Sequence, residues 1–271
     1  MPTIRVHDTD IHYLHTPGRP SENPAPTLVC IHGLGTDSLA SFYLTLAAPL
    51  AAAGVDMLFY DLRGHGNSGR PSSGYQVGDF VADLEGLLSE LDVRPPVHLI
   101  GNSFGGTVAF GFAAAHPDKV ASLVSIESEP PTEQWALRVG DVLENSKHEL
   151  SRAETYQLIS LQFGDHHARL SRQAYRRLAE TSMVEEIPSG PMLDLTDLSR
   201  ITVPVLNIVG SDGFQSDDPY LLEGVLPDCQ TVVIQDQDHS VLVEAHRQVR
   251  DLLLDWVFSH HPVAAAPGAQ A

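Results

Sequence analysis

Apolar and polar positions along the first half of the chain alternate between two rhythms. Residues 3–7 and 11–15 read as two short strands joined by a turn at residues 8–10. Residues 17–26 are a polar, proline-rich connection. Residues 27–31 form a continuous apolar run that stops abruptly at His32-Gly33, as a strand buried on both faces does. Residues 41–53 predict a helix closed by Gly54, which suits a left-handed C-terminal cap. The strand predicted at 56–60 runs into a glycine-rich loop over residues 61–69. Val77, Phe80, Val81, Leu84, Leu87, Leu88 and Leu91 then recur at three- and four-residue spacing, one apolar stripe on a helix. A strand at 97–101, a helix at 104–116 ended before Pro117, and a strand at 120–126 complete this half.

After Glu127 the rhythm changes. Residues 130–199 hold no good strand, but show helical stripes such as Trp135, Val139, Val142 and Leu143, or Tyr175, Leu178, Ala179 and Met183. Ser151-Arg152-Ala153-Glu154 has the form of a capping box opening a further helix. Strand and helix resume at 203–209, 219–225 and 231–234, and a last helix carries Val241, Ala245, Val249, Leu252, Leu253 and Trp256 on one face. The division expected is an α/β core over 1–129 and 200–261, a helical cap inserted at 130–199, and a disordered tail at 262–271. Strands alternating with helices imply a mainly parallel sheet with helices on both faces, and such sheets bind ligands at the carboxyl ends of their strands.

Composition narrows the function classes. The chain has 271 residues, 42% hydrophobic, enough for one large domain with an insertion. With 35 acidic against 16 basic residues its formal net charge is −19, which provides no cationic footprint for nucleic acid and opposes an anionic membrane. Cys30 sits in an apolar run and Cys229 lies far from it, so neither a disulfide framework nor a zinc site is expected. No metal and no cofactor are expected. The first residues lack a basic-then-apolar signal, and no apolar run approaches the roughly 18 residues of a membrane span, so a cytoplasmic enzyme acting on a small molecule is expected. Oligomeric state is not legible.

The chemistry concentrates at strand ends. Gly101-Asn102-Ser103-Phe104-Gly105 follows a strand and opens a helix, the context of a nucleophile elbow. There Ser103 stands at a helix N-terminus whose N–H groups favour negative charge. A serine needs a base, and His239, between the strand at 231–234 and the last helix, is placed better than His246, His260 or His261. The base needs an acid. Asp212, in Gly210-Ser211-Asp212-Gly213 after the strand at 203–209, is the favoured residue, and the order Ser103, Asp212, His239 fits a site of this kind. Glu127, Asp217 and Asp218 are the rivals. The N–H groups of Leu34, in His32-Gly33-Leu34-Gly35, and of Phe104 are the expected oxyanion donors, with His32 itself structural. Asp61-Leu62-Arg63-Gly64-His65-Gly66 lacks the endings of a nucleotide loop and reads as a hydrogen-bonded structural loop. In the cap, Trp135, Phe163, His166, His167, Tyr175 and Met183 are the candidate pocket residues.

These segments, His32–Gly35, 61–66, 101–106, 210–212 and Asp238-His239, together resemble the α/β-hydrolase superfamily over nearly the whole chain. The resemblance implies an eight-stranded, mostly parallel sheet with a helical cap over the site, and supports the same roles for Ser103, Asp212, His239, Leu34 and Phe104. The elbow Gly-Asn-Ser-Phe-Gly-Gly is similar to that of hydrolases that cleave carbon–carbon bonds in aromatic-ring breakdown products. Those enzymes typically carry Trp after the catalytic histidine, where this chain has Ser240. The expected activity is cleavage of an ester or thioester of a small, fairly apolar substrate through an acyl-enzyme on Ser103. The alternatives are elimination of an acetate-type group in natural-product biosynthesis, carbon–carbon hydrolysis, and a non-catalytic ligand receptor.

Overall fold

The computed structural model describes residues 2–20, 24–215 and 217–261. Eight strands, β1 (Thr3–Val6), β2 (Thr9–Thr16), β3 (Thr27–Ile31), β4 (Asp56–Tyr60), β5 (Val97–Asn102), β6 (Val120–Ile126), β7 (Val205–Gly210) and β8 (Cys229–Ile234), form one sheet. Their order is β1-β2-β4-β3-β5-β6-β7-β8. The hairpin β1–β2 and the β2–β4 pair are antiparallel, and every pair from β4 to β8 is parallel.

The apolar runs explain why the parallel strands lie in the middle. Successive side chains of a strand face opposite ways, so a run with no polar position needs cover on both faces. In β3, Val29 and Ile31 join one core with Leu58, Tyr60 and Leu99, while Leu28 and Cys30 join the other with Phe59 and Ile100. Each such side chain, fully buried, stabilises by about 1.5–3 kcal/mol. The second face is covered by a helical run made of α1 (Ala40–Phe42), a π turn (Tyr43–Ala47) and α2 (Ala48–Ala52). The first face is covered by α3 (Val77–Glu90) and α4 (Phe104–Ala115). Gly54 follows α2 at φ 97°, and Gly54 N–H donates to the Ala51 carbonyl.

Between β6 and β7 the chain forms α5 (Glu133–Leu150), α6 (Ala153–Phe163), α7 (Asp165–Glu180), α8 (Met183–Glu186) and α9 (Leu195–Ser199), with no strand among the described residues. The Thr132 hydroxyl accepts the Trp135 N–H and caps α5. Ser151 does not open α6 as its spacing suggests. Its hydroxyl donates to the His148 carbonyl, which closes α5 and leaves Arg152 at the N-cap of α6. After α10 (Leu221–Val225) and β8, the predicted last helix is divided into α11 (Val241–Glu244) and α12 (His246–His260), because Ala245 takes φ −100° and ψ 20°. Val249, Leu253 and Trp256 of α12 complete the second core. The expected tail, residues 262–271, lies outside the described residues.

Candidate active site

The carboxyl ends of β3, β5, β6 and β7 and the loop after β8 meet at one place. Ser103 joins β5 to α4 at φ 52° and ψ −125°, the left-handed backbone of a sharp strand-to-helix turn. The turn depends on two missing side chains. A Cβ on Gly101 would strike the backbone of Gly105 and Gly106, and one on Gly105 would strike the Ile31 carbonyl of β3. Backbone cannot yield as a flexible side chain can, so only glycine fits.

The Ser103 hydroxyl lies 3.0 Å from His239 Nε2, and His239 Nδ1 lies 3.3 Å from Glu127 Oε2. The carboxylate fixes the tautomer: Nδ1–H donates to Glu127, so Nε2 is free to accept from Ser103. Glu127 is held before His239 is considered. It follows β6 at φ 47°, with its side chain fully buried. Its Oε1 accepts the Gly210 N–H at 2.6 Å, and its Oε2 accepts the Phe214 N–H at 3.1 Å. Gly213 leaves the space that this carboxylate fills, since a Cβ there would overlap it.

The expectation for Asp212 is therefore corrected: Glu127, not Asp212, stands behind His239. Asp212 follows β7 at the sheet edge as expected, but its N–H donates to the Gln237 carbonyl and its side chain is exposed. The turn after Gly210 carries it outward, while the left-handed turn at Glu127 sends a longer side chain across the end of β7. The signal for Glu127 in the sequence was an acid immediately after a buried strand.

A pocket of about 520 Å³ opens beside this trio. Leu34 and Phe104 line it, and no acceptor among the described residues takes either backbone N–H. His32 is buried with both nitrogens engaged, Nδ1–H donating to the Gly33 carbonyl and Nε2 accepting the Leu62 N–H. Asp61 likewise anchors its loop, accepting N–H groups of Leu39 and Asn67 and His12 Nδ1–H.

Of the candidate pocket residues, Trp135 and Met183 line the wall, and Phe104 stacks on Trp135 with centroids 6.2 Å apart. Phe163, His166 and Tyr175 do not, which corrects their assignment. Phe163 ends α6, a helix with no buried residue, and is itself exposed. His166 accepts from Arg169 on the outside of α7, where His167 also lies, bonded to the Phe163 carbonyl. Tyr175 is rotated away from Ala174 and Leu178, which face the pocket. Sequence reasoning missed Arg177, Arg138, His65, Gln215 and Phe214. The Phe214 ring lies 4.1 Å from that of His239 and is 70% exposed, covering the imidazole from the solvent side. Arg138 pairs with Glu129 on the same wall.

Among the described residues no cluster of three or more His, Cys, Asp or Glu could hold a metal, and no helix is long and apolar enough to cross a membrane.

Known proteins place the chain in a family. Residues 26–146 match the family described as alpha/beta hydrolase fold. The chain is 34% identical to a 2-hydroxy-6-oxononadienedioate/2-hydroxy-6-oxononatrienedioate hydrolase of Cupriavidus pinatubonensis, over 69% of this chain and 71% of that one. It is 26% identical to a 2-(acetamidomethylene)succinate hydrolase of Mesorhizobium japonicum, over 80% of this chain and 82% of that one. The fold superposes on the enol-lactonase of Burkholderia xenovorans LB400 with a TM-score of 0.74 at 20% identity, covering 95% of this chain and 100% of that one. With an eight-stranded, mostly parallel sheet, a strand–turn–helix serine and these relatives, the chain belongs to the α/β-hydrolase fold family.

Proposed function

We propose that this α/β-hydrolase cleaves an ester or thioester of a small, fairly apolar substrate through an acyl-enzyme on Ser103. The observation that carries the reading is the unbroken line Ser103 Oγ, His239, Glu127, at 3.0 and 3.3 Å. His239 Nε2 takes the Ser103 proton as Oγ attacks the carbonyl carbon. The negative charge then develops on the carbonyl oxygen, where the Leu34 and Phe104 N–H groups receive it. His239 returns the proton to the leaving alcohol or thiol, and water repeats the sequence to free the acid. Glu127 keeps Nδ1–H in place and stabilises the imidazolium. Residues 130–199 act as the cap, with Trp135 and Met183 shaping the acyl pocket.

Intact-protein mass spectrometry after fluorophosphonate treatment tests this. A single adduct on the natural protein that is absent from Ser103→Ala is the expected result, followed by turnover of aryl esters and thioesters. An adduct that persists in the variant would sink the assignment.

A second reading, carbon–carbon hydrolysis, is favoured by the Gly101–Gly106 elbow and by the 34% identity to the Cupriavidus hydrolase. Ser240 in place of the usual Trp counts against it. Cleavage of a ring-fission diketone faster than any ester would establish it.

A further inference from the structure

One cation in the pocket has no anion among the described residues. Arg177 of α7 is 6% exposed and lines the same pocket as Ser103 and His239. Two other buried or pocket-lining arginines are paired, Arg63 with Asp83 and Arg138 with Glu129. Among the described residues Arg177 pairs with no carboxylate; the charged or ionisable groups it interacts with are Arg70, Tyr75 and His65. Its Nη2 donates to the carbonyl of Gly35, in the loop that carries Leu34. Burial, then Arg70, pushes its guanidinium down to about 10, so it remains charged at neutral pH.

A buried charge without a partner costs several kcal/mol, and a guanidinium has five N–H donors in a planar fork that matches a carboxylate. Among the described residues only the Gly35 carbonyl accepts from that fork. The adjacent His65 does not compete as a cation. Burial, His32 and Arg177 hold its pKa well below 6.5, and its Nδ1–H donates to the Arg63 carbonyl. The rest of the wall near α7 is apolar, formed by Ala174, Leu178, Met183 and Ile187.

We propose that Arg177 binds a carboxylate carried by the substrate itself, so that the preferred substrates are half-esters or thioesters bearing a second, ionised acid group. This rests on the acyl-transfer reading and narrows its fairly apolar substrate to one with an apolar body and a single ionised end. With a net charge of −19 the protein offers no long-range attraction to such an anion, so the selectivity is local.

The test is titration calorimetry on Ser103→Ala protein with monomethyl half-esters of straight-chain dicarboxylic acids, graded in length, against the matching dimethyl diesters. At least one half-ester is expected to bind about tenfold or more tighter than its diester. Adding Arg177→Gln removes that preference, and Arg177→Lys, which keeps the charge but loses the fork, retains part of it. Equal affinity for half-ester and diester at every length overturns the proposal, as does a preference that survives Arg177→Gln. If the Gln variant does not fold by circular dichroism, an undiminished preference in Arg177→Lys overturns it instead. The fluorophosphonate adduct separates the two readings. An adduct without half-ester preference removes the Arg177 site alone, and preference without an adduct removes the acyl-transfer chemistry but leaves the site.

Discussion

A carboxylate that accepts the Gly210 and Phe214 N–H groups is locked whether or not an imidazole is present, and His239 docks onto a finished acceptor. Replacing that carboxylate by an amide keeps the shape and reverses the hydrogen bond. Glu127→Gln presents either a neutral oxygen or an NH2 to His239 Nδ1, and the second selects the wrong tautomer. The expected loss in kcat on an activated aryl ester is about 10²–10⁴. Asp212→Asn, at an exposed side chain, is expected to change kcat by less than about twofold. The opposite ranking would return the role to Asp212. Both acids follow buried strands, so the chain alone could rank them only by order. What decides between them is the left-handed turn at Glu127 and the space left by Gly213, two conformational facts that no pattern of apolar positions encodes.

At the level of elements, the loop from Asp61 to Gly69 is fastened to α3 by one buried pair. Arg63 Nε and Nη2 donate to Asp83 at 2.6 Å each, and Nη1 donates to the Gly74 carbonyl. Burial raises the Asp83 carboxyl and Arg63 opposes that rise. Asp83→Asn leaves the buried guanidinium facing only the exposed carboxylate of Asp8 at 3.5 Å, and about 3–5 kcal/mol of stability should be lost in urea melts. A loss below about 1 kcal/mol would mean that water reaches the pair. The helix stripes that predicted α3 and α5 were legible because their apolar spacing fixes which face turns inward. The pocket wall was not. Phe163 and Tyr175 look as apt as Trp135 and Met183 until the helices are docked, and Arg177, inside Tyr175-Arg176-Arg177, reads as surface until its helix is seen to bury it.

Across the whole molecule, two neutral buried histidines set an acid limit. Burial holds His98 down to about 4 and His65 well below 6.5. Unfolding lets both take up protons below about 6.5, so the unfolded chain binds more protons there and stability falls as pH drops from 6.5 through about 4. The slope is up to about 1.4 kcal/mol per pH unit for each group. Melting temperature should decline over that range, and less steeply in His98→Gln; an unchanged slope would assign the decline to other groups. The sheet and its site are also ordered in time. Ser103 and Glu127 belong to the stretch synthesised first, yet the Gly210 N–H that fixes Glu127 and the His239 that it orients come only after the helices from Glu133 to Ser199. A nascent chain still attached to the ribosome with β6 at the edge of its sheet therefore carries a serine without a base. On the proposed acyl-transfer chemistry, reactivity arrives with the last strands, once the pocket that confines it has been made.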